Sequence, residues 1–314
     1  MNSPKRFGMN QKSLNRWELS RALTKLANAS SADMAQRAAP THQRHTARRI
    51  GITGAPGAGK STLVGHLATQ RLHKGRLAVL AVDPSSPHSG GAILGDRVRM
   101  DDIAGSHELY IRSLGSRKTT DGLADNLPEM LDLLDEHAFD EVILETVGVG
   151  QAEYAVRNQV DTLVLVLLPD SGDAVQAMKS GIMEMADIFV VNKADLPGAQ
   201  RMVTDLRRIA TVTQHKPGAW IPPILLTAST QTESIQGLSK AIDEHTAWLG
   251  QSEVHRKNTA IQRARYRLKR HLELRLGELL KSKDTDFFSQ PMVQQVDDIL
   301  DTLRTPSNAP AQEA

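Results

Sequence analysis

The sequence predicts an α/β fold: a mostly parallel sheet flanked by helices, with a helical extension before it and a helical arm after it. Three observations carry that expectation. From about residue 48 to 250, short apolar runs alternate with amphipathic stretches, the pattern of strands joined by helical crossovers. Several of these runs are continuous in Val, Ile and Leu, as parallel strands buried on both faces require. After about residue 250 the strand pattern stops and a long basic amphipathic stretch begins.

Taken in order, residues 13–39 read as one or two helices, with Trp17, Leu19, Leu23 and Leu26 near helical spacing. With the looser "PTHQRHTARR" behind them they form an N-terminal helical extension, residues 1–47. The α/β region, residues 48–250, follows. Its strands are "RIGIT", "LAVLAVD" (77–83), "ELYIRS" (108–113), "EVILET" (141–146), "TLVLVLLP" (162–169), "DIFVVN" (187–192) and "PILLTA" (223–228). Helical segments are expected at 61–74, 122–137, 173–186 and 198–210. Residues 251–305 form a C-terminal helical arm. Within it, 255–283 carry ten Lys/Arg against two Glu, with Leu268, Leu272, Leu276 and Leu279 at helical spacing. Such a helix either packs on its own domain with a solvated face or serves dimerisation or a partner. Residues 306–314 read as a disordered tail.

Composition sets bounds. The 314 residues are 40% hydrophobic and 24% charged, ordinary for a soluble protein, and the net charge of +2 gives no argument for nucleic-acid or membrane binding. The absence of cysteine excludes disulfides, thiolate catalysis and Cys-based metal sites, and fits a reducing cytosol. The N-terminus lacks the apolar core of a signal peptide, and the longest apolar run is too short to span a bilayer. A cytoplasmic location is expected.

Three motifs carry the chemistry. "GAPGAGKST" matches G-x-x-x-x-G-K-[ST] between a strand and a helix. Its backbone, Gly54, Ala55, Pro56, Gly57, Ala58 and Gly59, can turn amides inward around phosphates. Lys60 neutralises the outer phosphates, Ser61 offers a hydroxyl to Mg2+, and Thr62 continues the helix whose N-terminus favours anions. The expected fold is therefore a P-loop NTPase. Magnesium asks for hard oxygen ligands. Asp83 and Glu145 end strands on the carboxyl side, where open α/β sheets bind ligands. Asp96 lies in a glycine-flanked loop, and Gly148, three residues after Glu145, has the spacing of a γ-phosphate sensor. "NKAD" selects the base: the Asp195 carboxylate accepts from two guanine donors that adenine does not present. Asn192 can bond the opposite base edge and the Lys193 stem can lie across the ring. Thr227, Ala228 and Ser229 end the next strand, where a backbone N–H can meet the guanine carbonyl. The ligand is GTP or GDP with Mg2+.

With "GITGAPGAGKST", "LAVDPSSPHSGGAILGDRVRM", "ILETVGVGQAE", "LPDSGD" and "NKADL" in this order, the chain resembles the MeaB/ArgK-type G proteins, the GTPases associated with methylmalonyl-CoA mutase. The similarity covers most of 45–250, and "SRALTKLANAS" resembles the family's N-terminal helical element. The resemblance implies a homodimeric GTPase that chaperones an adenosylcobalamin-dependent acyl-CoA mutase, gating cofactor loading and protecting or rescuing the mutase. It implies that Lys60, Asp96 and Glu145 are catalytic, and that Ser61, Asp83, Asp96 and Glu145 serve magnesium directly or through water, with Asp96 also a candidate to order the attacking water. Residues 168–182 match a third switch of the family, in which Asp170, Asp173 and Lys179 report nucleotide state; their other reading is a helix cap and solvated face.

Two departures qualify this. After the "YIR" strand the chain has "SLGSRKTTDGLADNL", with Arg117 and Lys118, where family members often carry a small-residue Ser/Gly run. The partner is thus methylmalonyl-CoA mutase or a related isobutyryl-, 2-hydroxyisobutyryl- or ethylmalonyl-CoA mutase. The basic arm covers the family's dimerisation region with a less diagnostic sequence. Many small GTPases place a water-orienting Gln immediately after the switch glycine; here Val149 stands there and Gln151 follows two residues later. Slow intrinsic turnover, stimulated by a partner, is expected. A nickel-insertion metallochaperone would want Cys/His clusters, and an ArgK-like transport kinase an acceptor site; the sequence speaks for neither. A nucleotide-gated scaffold with incidental hydrolysis is the non-enzyme alternative.

Overall fold

The structure, a computed structural model, describes residues 15–35, 37, 46–84, 106, 108–116, 123–146, 151–169, 184–212 and 218–304. Seven strands make one parallel sheet in the order β3-β2-β4-β1-β5-β6-β7. They are β1 (Arg48–Gly54), β2 (Leu77–Pro84), β3 (Leu109–Ser116), β4 (Glu141–Thr146), β5 (Thr162–Leu167), β6 (Ile188–Val191) and β7 (Ile224–Leu226). All seven lie where the apolar runs predict them. Every described residue of β4, β5 and β6 is buried, which is why those strands read as unbroken hydrophobic runs.

The alternation of side chains along each strand divides the core in two. On one face Ile50, Ile52, Ile143 and Val164 pack against α3 (Lys60–Arg71) and the helix Thr232–Gly250. On the other, Val142, Leu144 and Leu163 meet α1 (Arg16–Ala27), α4 (Leu127–Glu136) and α5 (Gln151–Arg157). A third cluster buries α6 (Ala199–Val212) on β5 and β6 through Met202, Val203 and Leu206. The helix Thr232–Gly250 is α7, followed by α8 (Glu253–Lys281), α9 (Thr285–Phe288) and α10 (Met292–Arg304). A short helix, α2 (Ser31–Ala35), follows α1.

Helix limits differ from expectation for local reasons. The first helical stretch breaks at Asn28–Ser30, where Asn28 caps α1 and Asp33 accepts from the Ser30 amide and hydroxyl. The second starts at Lys60 and tightens into a 3-10 turn over Leu72–Lys74 before Gly75. In the third, Asn126 sits at φ 56°, outside helical geometry, and its amide donates to the carbonyls of Leu26 and Ala29, fixing α4 to the end of α1. Most of the segment expected at 173–186 lies outside the described residues.

The structure fixes which side of two amphipathic helices is buried. Trp17 is 65% exposed beneath the Arg21 guanidinium, while Leu19, Leu23 and Leu26 are buried. Two residues along a helix turn about 200°, so Trp17 cannot share the Leu19 face. In α8 the polarity is inverted: Leu268, Leu272 and Leu276 face outward and Arg270 is buried. Arg263 pairs with Asp161 at 2.7 Å, and Arg267 pairs with Asp132 and with Glu129. The basic face is thus the one that packs on the sheet domain, drawn there by acids of α4 and of the turn before β5.

Candidate nucleotide and magnesium site

The chain runs outward from β1 in both directions, so β1 has β4 on one side and β5 on the other. This is the topological switch point, whose carboxyl-end crevice is where open α/β sheets bind ligands. The glycine-rich loop leaves β1 at that point. Gly54 sits at φ 141°, and a Cβ there would lie 2.0 Å from the Val166 carbonyl oxygen. Only glycine lets the loop turn this close to β5. Gly59, at φ 82°, is the N-cap of α3, and a Cβ on it would meet the Asn192 amide nitrogen at 2.7 Å.

Lys60 is buried, and its ammonium donates to the carbonyls of Gly54 at 2.8 Å and Ala55 at 2.9 Å. The cation therefore lies across the mouth of its own loop. One residue on, the Ser61 hydroxyl donates to Glu145 Oε1 at 2.7 Å, with Glu145 buried at the end of β4. A hydroxyl and a carboxylate from separate elements thus meet beside the phosphate loop. These are hard oxygens of the kind magnesium takes, and they fit the expected donor set. The Asp83 backbone lies in β2 one residue before its end, paired with Gly115 of β3, and its side chain lies outside the described residues. Asp96, Gly148 and the stretch containing Asp170, Asp173 and Lys179 lie outside them too, as do Arg117, Lys118, Val149 and the Gln151 side chain.

The "NKAD" segment follows β6 and leans on the loop. The Asn192 Nδ2 donates to the Ala58 carbonyl at 2.7 Å, and its Oδ1 accepts from the Thr227 hydroxyl at 2.9 Å. One buried amide so ties the phosphate loop, β6 and the end of β7 together. Lys193 holds φ 54°, a conformation that L side chains adopt at some cost. It is held by its neighbours: the Ala194 amide donates to the Thr227 carbonyl, and the Leu196 amide to the Lys193 carbonyl. Lys193 and Asp195 are exposed at the rim. The Thr227 amide is used by the Val191 carbonyl and the Ala228 amide by the Ser234 hydroxyl, which leaves Ser229 as the next donor along the chain.

Between α3 and the "NKAD" and "TAS" segments lies a pocket of about 340 Å³ open to solvent, lined by Gly59, Thr62, Asn192, Lys193 and Ser229. Its wall is completed by Leu63, His66 and Ile235, which the sequence did not single out because nothing in local spacing points α7 at α3. The structure thus brings together the phosphate loop, Ser61 with Glu145, and both base motifs.

A model of the family described as methylmalonyl-CoA mutase-associated GTPase MeaB matches residues 19–284. A Pyrococcus horikoshii protein described as a GTPase is 42% identical over 206 residues, 65% of this chain and 65% of its own length. The GTPase ArgK of Escherichia coli is 36% identical over 62% of this chain and 60% of its own. The mouse mitochondrial methylmalonic aciduria type A homolog is 38% identical over 60% of this chain and 46% of its own. The chain thus matches less than two thirds of the length of each of these relatives. The crystal structure of an LAO/AO transport system kinase shares the fold, with a TM-score of 0.62 at 24% identity over 93% of this chain and 99% of that one.

Proposed function

The chain belongs to the methylmalonyl-CoA mutase-associated GTPase family, and from that premise we propose that it binds and hydrolyses GTP with magnesium and uses the cycle to chaperone an adenosylcobalamin-dependent acyl-CoA mutase. One observation carries the nucleotide part: Asn192 bonds the phosphate-loop carbonyl of Ala58 and the Thr227 hydroxyl at once, so three motifs far apart in sequence form a single site. Lys60 and the loop amides hold the phosphates, and Asp195 reads the guanine edge. Lys193 covers the base, and the amide of Ser229 meets the guanine carbonyl.

Magnesium, when bound, would neutralise charge on the phosphates. Ser61 and Glu145 would hold it, joined by Asp83 and Asp96 directly or through water. Hydrolysis needs positioning more than covalent help, and the sequence has Val149 where many GTPases place a water-orienting Gln. Turnover alone is therefore slow. The outward leucines of α8 and the exposed Val293, Val296 and Leu300 of α10 support a homodimer formed through the C-terminal arm.

The test is single-turnover hydrolysis of radiolabelled GTP by the chain alone and with the mutase of the same cell. We expect the complex to be faster by about tenfold or more. Equal rates would remove the chaperone reading, and equal affinity for GDP and ADP would remove the guanine reading.

A further inference from the structure

The magnesium pair Ser61 and Glu145 sits on α3 and β4, and those two elements are joined a second time at their far ends. Arg71, in the last turn of α3, is fully buried and grips Glu141, the first residue of β4, through two bonds of 2.6 Å from Nε and Nη2. Its remaining N–H groups are also used: Nη2 donates to Asp243 Oδ1 at 3.0 Å, and Nη1 to the Ser239 carbonyl at 3.1 Å and hydroxyl at 3.0 Å. A guanidinium has five N–H donors in a fixed plane, so this one is saturated and its orientation determined. Lys74 and Arg48 add further cations to the same carboxylates. Burial alone would push the Arg71 guanidinium down, but Glu141 and Asp243 outweigh it and hold the group more basic than usual.

The spans of the two elements match. From Ser61 to Arg71 the helix advances about 15 Å at 1.5 Å per residue. From Glu141 to Glu145 the strand advances about 13 Å at its own rise. The two links, Ser61–Glu145 and Arg71–Glu141, therefore close a rung at each end of one helix–strand pair. A slide of α3 along β4 would break the Arg71 fork before it opened the more adaptable hydroxyl bond, because bidentate geometry tolerates little displacement.

We propose that Arg71 is a positioning residue for the magnesium subsite: by fixing the axial register of α3 against β4 it holds the Ser61 hydroxyl opposite the Glu145 carboxylate. Arg71 touches neither nucleotide nor metal. It acts through the helix, and its bonds to Ser239 and Asp243 tie the same end of α3 to α7. This inference rests on the magnesium reading above.

The experiment uses the full chain and GDP carrying a fluorescent N-methylanthraniloyl group, with Mg2+ titrated and binding rather than turnover as the readout. Arg71→Lys keeps the charge and loses the fork; Glu141→Gln keeps the shape and loses the carboxylate. In both, the Mg2+ concentration that half-maximally tightens GDP binding should rise about tenfold, the lower range for an outer-shell change. Binding in EDTA should stay within about twofold of wild type. A lowered melting temperature with an unchanged Mg2+ midpoint overturns the proposal and leaves Arg71 a purely structural residue. Should Arg71→Lys fail to fold, Glu141→Gln decides alone. Wild-type GDP binding that ignores Mg2+ would overturn the magnesium reading itself, and this inference with it.

Discussion

At the amino end of the sheet Arg71, Arg49, Arg76 and Arg157 each sit on a carboxylate of their own chain, Glu141, Asp135, Glu108 and Asp187. At the carboxyl end an ammonium and an amide instead bond the backbone carbonyls of a glycine loop, and a hydroxyl and a carboxylate bond each other beside it. The same residue types do different work because their surroundings differ. Charge closed upon charge, fully buried only for Arg71 with Glu141, leaves little to offer a ligand. Polar groups anchored on backbone, at the point where the strand order diverges, make the place where the proposed anion and metal would sit. Holding and acting are separated by the length of a strand.

The largest effect should come from breaking the holding end. Arg71→Met leaves Glu141 buried without its main partner, and the loss of unfolding free energy should be about 3–5 kcal/mol by urea titration. Adding Glu141→Met should recover most of it, since an apolar pair of similar volume avoids the desolvation of both charges. A double variant as unstable as the single one would show that Ser239 and Asp243, rather than the ion pair, carry the effect.

Lys60→Ala should strike the acting end with the opposite signature. Single-turnover GTP hydrolysis should fall about a hundredfold or more, as when a charge-stabilising donor is removed. Unfolding free energy should drop by less than for Arg71→Met, because losing the bonds to the Gly54 and Ala55 carbonyls strands no buried charge. If Lys60→Ala cost as much stability as Arg71→Met, the division between the two ends would not hold.

The acting end was also the more legible in sequence. Residues 54–62 and 192–195 are contiguous motifs whose chemistry is stated by type and spacing, and β4 lies at 141–146 as its apolar run says. The holding end is built from pairs far apart in the chain, such as Arg71 with Ser239, and no local period announces them. The α8 helix shows the limit most plainly. Its leucines carry a helical period, but which side faces the protein was decided by Asp161, Asp132 and Glu129 of other elements, which draw the arginines inward.

The smallest effect tests whether the amino end can be altered without the site noticing. Asp187, just before β6, accepts from Arg157 Nη1 at 2.8 Å and from the Leu163 amide at 2.7 Å. His245 of α7 lies 3.5 Å away, its Nδ1 within 2.8 Å of the Thr162 hydroxyl, stacked against Trp248, with Trp220 beside it. Burial raises the Asp187 carboxyl to about 6 against the opposing pull of Arg157, and burial, helped by the Arg157 charge, lowers His245 to about 4; Asp161 and His255 act more weakly. The signs oppose. Asp187 keeps its proton in the native state after the unfolded chain has lost it, so its contribution is present below about pH 4 and is lost as pH rises through about 6. His245 stays neutral where the unfolded chain is charged, so its contribution is present above about pH 6.5 and is lost as pH falls through about 4. In the wild type the two slopes offset each other and stability should change little across this window. Asp187→Asn keeps an oxygen for Arg157 and the Leu163 amide but removes one slope, so stability should climb by about 2 kcal/mol from pH 4.5 to 6.5. GTP hydrolysis at pH 7 should stay within about twofold of wild type, because the cluster lies at the strand starts, away from Lys60, Ser61, Glu145 and Asn192 at the strand ends. A flat stability profile in the variant would show that His245 is not held neutral by its burial. A fall in hydrolysis would show that the amino end reaches the nucleotide through this cluster as well as through Arg71.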